Sequence, residues 1–176
     1  MDLKPSLQWY QVILLGDPYV GITSFYNRCS KYENKTNNHH ILVGGSDWVI
    51  YQKYFKFDGN DISFYRWQTW GDRFDPYQIY YQSSDVALIF FDLTNKFSFL
   101  SIKKWIEEVK EKAWKQVKTM IIGTKSDLTN ERVVSYEEGK SLADEIGIMY
   151  LEVSSKTNKN IKIAFNIAAN LVMQKK

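Results

Sequence analysis

The chain has 176 residues, a formal net charge of +3 and one cysteine. Hydrophobic residues make up 44% and charged residues 24%, which excludes a disordered, collagen-like or coiled-coil chain and allows one sizeable core. Aromatic residues reach 16%, so much of that core must be aromatic. Cys29 alone excludes an internal disulfide framework or a multi-cysteine zinc site and fits a reducing, cytoplasmic compartment. The small charge gives no basis for a nucleic-acid partner. No run of about 18 apolar residues exists to span a membrane. Met1–Trp9 has no apolar stretch of a secretory signal, and Met173-Gln174-Lys175-Lys176 carries no cysteine for prenylation. A membrane would then be reached only through a partner or a further tail.

Tyr10–Leu15 is a short apolar run that stops at Gly16-Asp17-Pro18 and reads as a buried strand. The loop Gly16–Gly21 leads into a helix start at Thr23–Cys29. Ser30–His40 is polar and Asn-rich and reads as a loop. Val49–Phe57 and Ile62–Trp67 flank Asp58-Gly59-Asn60-Asp61, the signature of a hairpin. Val86–Phe91 is a further buried strand. Ile102, Trp105, Ile106, Val109 and Ala113 follow helical spacing, and Val117–Ile122 is a strand ending at Gly123. Ser135 and Glu138 form a capping box for a helix that stops near Gly147. Ile148–Val153 is the last strand, and Ile161, Ala164, Phe165, Ala168, Leu171 and Val172 line one face of a final helix. No repeat or linker divides the chain, so residues 1–176 read as one domain. Strands alternating with helices, plus one early hairpin, predict an α/β fold with a mostly parallel six-stranded sheet covered on both faces.

In such a sheet, ligands bind beyond the carboxyl ends of the strands. Four segments fall there. Gly16-Asp17-Pro18-Tyr19-Val20-Gly21-Ile22-Thr23 matches a phosphate-cradling loop, G-x-x-x-x-G-K-[ST], except that Ile22 stands where Lys belongs. Backbone N–H groups of such a loop wrap a phosphate, the Lys reaches the outer phosphates and the Thr hydroxyl binds Mg²⁺. On this segment alone, an ordinary strand-to-helix turn would look the same. The other segments are Trp67–Phe74, Thr124-Lys125-Ser126-Asp127 and Ser154-Ser155-Lys156. An Asp at a strand end can accept two N–H groups from a guanine edge, and a nearby Lys stem can cover the purine face. Each alone has a plainer reading: Asp127 as a turn cap, Lys125 and Lys156 as solvated surface.

In this order and spacing, the segments resemble the small GTPases of the Ras superfamily, most closely the Rab family, over about Trp9 to Met173. Ile121-Ile122-Gly123-Thr124-Lys125-Ser126-Asp127-Leu128, Val134–Gly139 and Trp105–Val109 carry the likeness, with Trp67, Gly71, Arg73 and Phe74. The resemblance implies a P-loop small G domain that binds GTP or GDP with Mg²⁺. It implies nucleotide contacts from Gly16, Asp17, Gly21, Thr23, Ser24, Thr124, Lys125, Asp127, Ser154, Ser155 and Lys156. It implies metal ligands at Thr23 and Ser46, and effector or regulator proteins gripping segments near Ser46 and Gly71. A role in vesicle traffic or signalling, cytoplasmic or peripheral to endomembranes, follows from the same likeness.

The chain departs from that family at the phosphate and metal half. Ile22 replaces the Lys, Gln68 replaces the Asp of the Mg²⁺ shell, and Asp72 stands where the water-positioning Gln belongs. A carboxylate there cannot donate to water and would repel a γ-phosphate. Pro18 removes an N–H donor from the loop. The expectation is a pseudo-GTPase that keeps base recognition and hydrolyses GTP weakly or not at all. Two alternatives stand beside it. An active switch would use displaced cations, Lys53, Lys56 or Arg73. A nucleotide-free interaction module would use Tyr19, Trp48 and Trp70 to fill its phosphate space or to build a hydrophobic partner surface.

Overall fold

The apolar run after the N-terminus forms β1 (Trp9–Gly16), and the helix behind the glycine loop forms α1 (Ile22–Cys29). The computed structural model describes residues 9–29, 39–42, 49–57, 60–68 and 78–174. Next come β2 (His39–Leu42) and the hairpin β3 (Val49–Phe57) and β4 (Asn60–Gln68). These are followed by α2 (Gln78–Ser83), β5 (Val86–Asp92), α3 (Lys96–Leu100) and α4 (Ile102–Lys112). The chain continues as β6 (Lys118–Thr124), α5 (Tyr136–Ile146), β7 (Met149–Glu152) and α6 (Ile161–Met173).

The strands form one sheet in the order β2-β3-β4-β1-β5-β6-β7. β1 runs parallel to β4 and β5, β5 to β6 and β6 to β7, whereas β2, β3 and β4 are antiparallel neighbours. The α/β class, parallel sheet and hairpin are as the sequence predicts. The strand count is not: a seventh strand, β2, begins at His39, within the segment read as loop. Two histidines followed by two apolar residues give no alternation to read. What makes the segment a strand is pairing with β3, Ile41 opposite Ile50 and Leu42 opposite Val49.

Every residue of β5 is buried, as expected of a central strand covered on both faces. Alternation then splits the core in two. Leu14, Phe90 and Ile122 face α1 and α6, where Phe25 meets Phe90 at 5.0 Å and Phe64 meets Phe165 at 5.4 Å between ring centroids. Ile13, Leu15, Ile89, Phe91 and Ile121 face the other way, against Ile106 of α4 and Leu142 of α5.

Local chemistry sets the helix ends. The Asn95 side chain accepts from the backbone N–H groups of Phe97 and Ser98 and starts α3. The Ser135–Glu138 capping box starts α5, and Gly147, at φ 77°, ends it. Among the described residues, no helix is long and apolar enough to cross a membrane.

Candidate functional site

The carboxyl ends of β1, β5, β6 and β7 bring three of the four sequence segments to one edge of the sheet. The first is the loop after β1. Gly16 has φ 151°, and a Cβ there would stand 2.5 Å from the Phe90 carbonyl oxygen, so only glycine lets β1 turn beside β5. Val20 is buried and anchors the loop to the core. The Thr124 hydroxyl lies 2.5 Å from the Val20 carbonyl oxygen and 3.0 Å from that of Phe91, tying the loop to the end of β6. Asp17 accepts from the Trp105 indole Nε1 at 2.9 Å.

Ile22, at the lysine position, packs against the core cluster beneath α1 and α6. Asp17 is therefore the only charged side chain from Gly16 to Ser24. Tyr19 is 94% exposed at φ 67°, so it does not fill the phosphate space; of the two roles open to it in the interaction-module reading, only a partner surface fits this position. Trp48 and Trp70 lie outside the described residues.

The second and third segments build the other end of the site. Asp127 is half-buried, and its Oδ1 accepts from the Ser154 hydroxyl at 2.6 Å. The Ser154 oxygen accepts in turn from the Thr157 N–H at 3.1 Å. A carboxylate has about four acceptor positions, so this bond orients Asp127 and leaves the rest available. Lys125 adopts φ 59°, and its ammonium pairs with Asp92 Oδ2 at 2.6 Å. Asp92 is buried, and its other oxygen accepts from the Thr94 backbone and hydroxyl, each at 2.8 Å.

A cavity of about 640 Å³ opens between these segments. Gly21, Ser24, Thr124, Lys125, Asp127, Ser155 and Lys156 line it, joined by Asn27, Arg28 and Leu128. The structure thus brings together most of the sequence-predicted residues, and adds three. Of these, Arg28 does the most: its Nε donates to the Ser155 carbonyl oxygen at 2.5 Å and its guanidinium reaches that of Lys156 at 3.2 Å. Its only sequence signal is a basic residue in the last turn of α1. Ser154 therefore acts through its hydroxyl on Asp127, since its backbone N–H is taken by the Lys159 carbonyl.

Behind Ser154, a half-buried staple fixes the end of β7. Arg132 grips Glu152 through two hydrogen bonds of 2.8 and 2.7 Å, and the Tyr150 hydroxyl donates to Glu152 at 2.8 Å. Burial pushes the Glu152 carboxyl up, but the bonds from Arg132 and Tyr150 outweigh it and hold the group below the usual carboxylate range. Burial, with Glu152 beside it, raises the Tyr150 phenol well above its ordinary value. The Asn160 side chain caps the same region, donating to the Glu152 carbonyl at 2.8 Å.

The metal half is thinner. Thr23 lies in the first turn of α1, and Gln68 ends β4 on the same sheet edge. Ser46 and the Gly71-Asp72 segment lie outside the described residues. A hydroxyl and a neutral amide offer Mg²⁺ no carboxylate, although Mg²⁺ is commonly held by one or two of them. Among the described residues, no group of three or more His, Cys, Asp or Glu is placed to hold a metal ion. Of the donors named for the metal, the described residues thus hold the Thr23 hydroxyl and no carboxylate.

Two of the cations named for the active-switch reading, Lys53 and Lys56, lie on β3. In strand register Lys56 stands opposite Asp61, which is level with Trp9, and Lys53 opposite Phe64, which is level with Val12. Trp9 lies seven residues before Gly16, about 23 Å along the strand at about 3.3 Å per residue. Arg73 lies outside the described residues.

A model of the Ras family matches residues 11–174. The chain is 36% identical over 168 residues to the Ras-related protein Rab-8B of Homo sapiens, covering 94% of this chain and 79% of that protein. It is 36% identical over 157 residues to the human Ras-related protein Rab-37, covering 88% and 69%. To the GTP-binding protein ypt2 of Schizosaccharomyces pombe it is 34% identical over 178 aligned positions, covering 100% and 87%.

Proposed function

This chain belongs to the Ras family, with its similarity running to Rab proteins over nearly its whole length, and on that footing we propose that it is a guanine-nucleotide-binding pseudo-GTPase. The observation that carries the reading is the pairing of an oriented Asp127 with an Ile22 committed to the core.

In this reading Asp127 accepts the two N–H groups on the guanine edge, and adenine would leave the carboxylate unpaired. Lys125 covers the purine, with Thr124, Ser154, Ser155 and Lys156 holding the surrounding backbone. Gly16, Asp17, Gly21, Thr23 and Ser24 supply the loop on the phosphate side. Removing one partner of a buried charged contact costs roughly 2–5 kcal/mol, or about 30- to 4,000-fold in affinity. Family members that bind nucleotide tightly can lose one such contact and still bind. Losing both the lysine and the Mg²⁺ carboxylate weakens binding severely. Hydrolysis needs charge neutralisation and a positioned water as well, and neither Ile22 nor Asp72 supplies them.

The whole chain then works as a single G domain. It serves as a scaffold or switch in vesicle traffic or signalling and engages effectors and regulators near Ser46 and Gly71. Any endomembrane association is peripheral. Calorimetric titration with GDP and GTP, with and without Mg²⁺, tests the binding half, and chromatography of GTP incubated with the protein tests the chemical half. The expected result is guanine-specific binding without turnover. Brisk unaided cleavage of GTP ends the proposal.

A further inference from the structure

Resting on the guanine reading above, we infer that this site recognises a guanine nucleoside monophosphate as well as it recognises GDP or GTP. It selects the base, the sugar and one phosphate, and is indifferent to the phosphates beyond.

The cavity itself points this way. Among the described residues, it is lined by Asp127, Lys125, Leu128, Ser155 and Lys156 at one end and by Ser24, Asn27 and Arg28 of α1 along its side. The loop between β1 and α1 contributes Gly21 alone. The described lining therefore lies at the proposed base side and along α1.

Charge points the same way. A triphosphate needs cations at its outer end, and the loop that would surround that end carries one charged side chain, the carboxylate of Asp17. Ile22 puts an apolar side chain onto the core where a cation would reach outward. The cations of the site border the base end instead. Lys125 is held by Asp92 and Arg28 by two carbonyl oxygens, while Lys156 is exposed. The N-terminus of α1 and the N–H groups of the loop still favour an anion. The Asp17 carboxylate is engaged by the Trp105 indole and adds no positive charge for a second or third phosphate.

The test is a ladder of ligands on the full chain: guanosine, GMP, GDP, GTP and, as control, AMP, titrated calorimetrically with and without Mg²⁺. GMP, GDP and GTP are expected to fall within about tenfold of one another, with no tightening by Mg²⁺ and no binding of AMP. Ile22→Lys is expected to separate GDP from GMP by at least about 30-fold, the lower bound for one restored charged contact. The wild-type ladder decides the inference whether or not that variant folds. GDP or GTP binding more than about tenfold tighter than GMP, or tightening markedly with Mg²⁺, overturns the inference and leaves guanine recognition standing. Silence from every guanine ligand overturns guanine recognition and the inference together.

Discussion

The two halves of the proposed nucleotide site are held in different ways. At the base end, polar side chains are tied across elements: Asp127 to Ser154, Lys125 to Asp92, Arg28 to the carbonyls of Ser155 and Lys156. At the phosphate end the loop is held by the Thr124 hydroxyl, by the Trp105 indole on Asp17 and by the apolar anchors Val20 and Ile22. Preorganised charge makes a pocket selective, because a ligand that fails to match leaves a desolvated group unpaired. A loop anchored by apolar side chains keeps its shape without that selectivity. Loss of a phosphate-binding lysine therefore need not unfold the loop.

The comparison can be broken most forcefully at Asp127. Asp127→Ala removes the charged acceptor and is expected to weaken GDP binding by about 30- to 4,000-fold, read by calorimetry. Retained affinity would show that the base end does not read the base.

Next comes the staple behind that end. Arg132→Ala is expected to cost about 2 kcal/mol in chemical denaturation, the scale of a hydrogen bond to a charged group. Glu152 is depressed in the folded state, so its stabilisation is present above the unfolded carboxyl value of about 4.3 and is lost as pH falls through the folded value. The stability gap between wild type and Arg132→Ala should thus hold at neutral pH and close in acid. A gap that persists well below pH of about 3 would assign the effect to packing rather than to this pair.

A smaller change sharpens the role of Ser154. Ser154→Ala leaves Asp127 in place but unoriented, and about 1 kcal/mol, or roughly fivefold in GDP affinity, is expected to go. An unchanged Kd would mean that Asp127 needs no such support. Smallest of all is Ser126→Ala. The Ser126 hydroxyl is buried with no hydrogen-bond partner, although its backbone N–H donates to Val153. Removing it is expected to stabilise the fold by up to about 1 kcal/mol in the same denaturation assay and to leave GDP binding unchanged.

Much of the fold is legible in the amino-acid sequence. Val86–Phe91 announces a covered central strand because all its residues are apolar, and Ser135 with Glu138 announces a helix start because capping is local chemistry. The strand β2 is not legible, since His39–Leu42 owes its form to hydrogen bonds from β3 rather than to its own pattern. The short helices α2 and α3 leave no signal either: five or six residues are too few for a helical period to show.

At the site, residue identities alone determined which contacts are available. Asp127 stands where a guanine edge would need a carboxylate, and no cation stands at Ile22, because side-chain chemistry is written directly in the chain. Tertiary structure alone decided that Ile22 lies on the core, that Ser154 orients Asp127, and that Arg28 holds a loop 127 residues away in sequence. Those outcomes depend on which surfaces meet once the sheet has formed, and the spacing of residues along a chain does not encode contacts between elements so far apart.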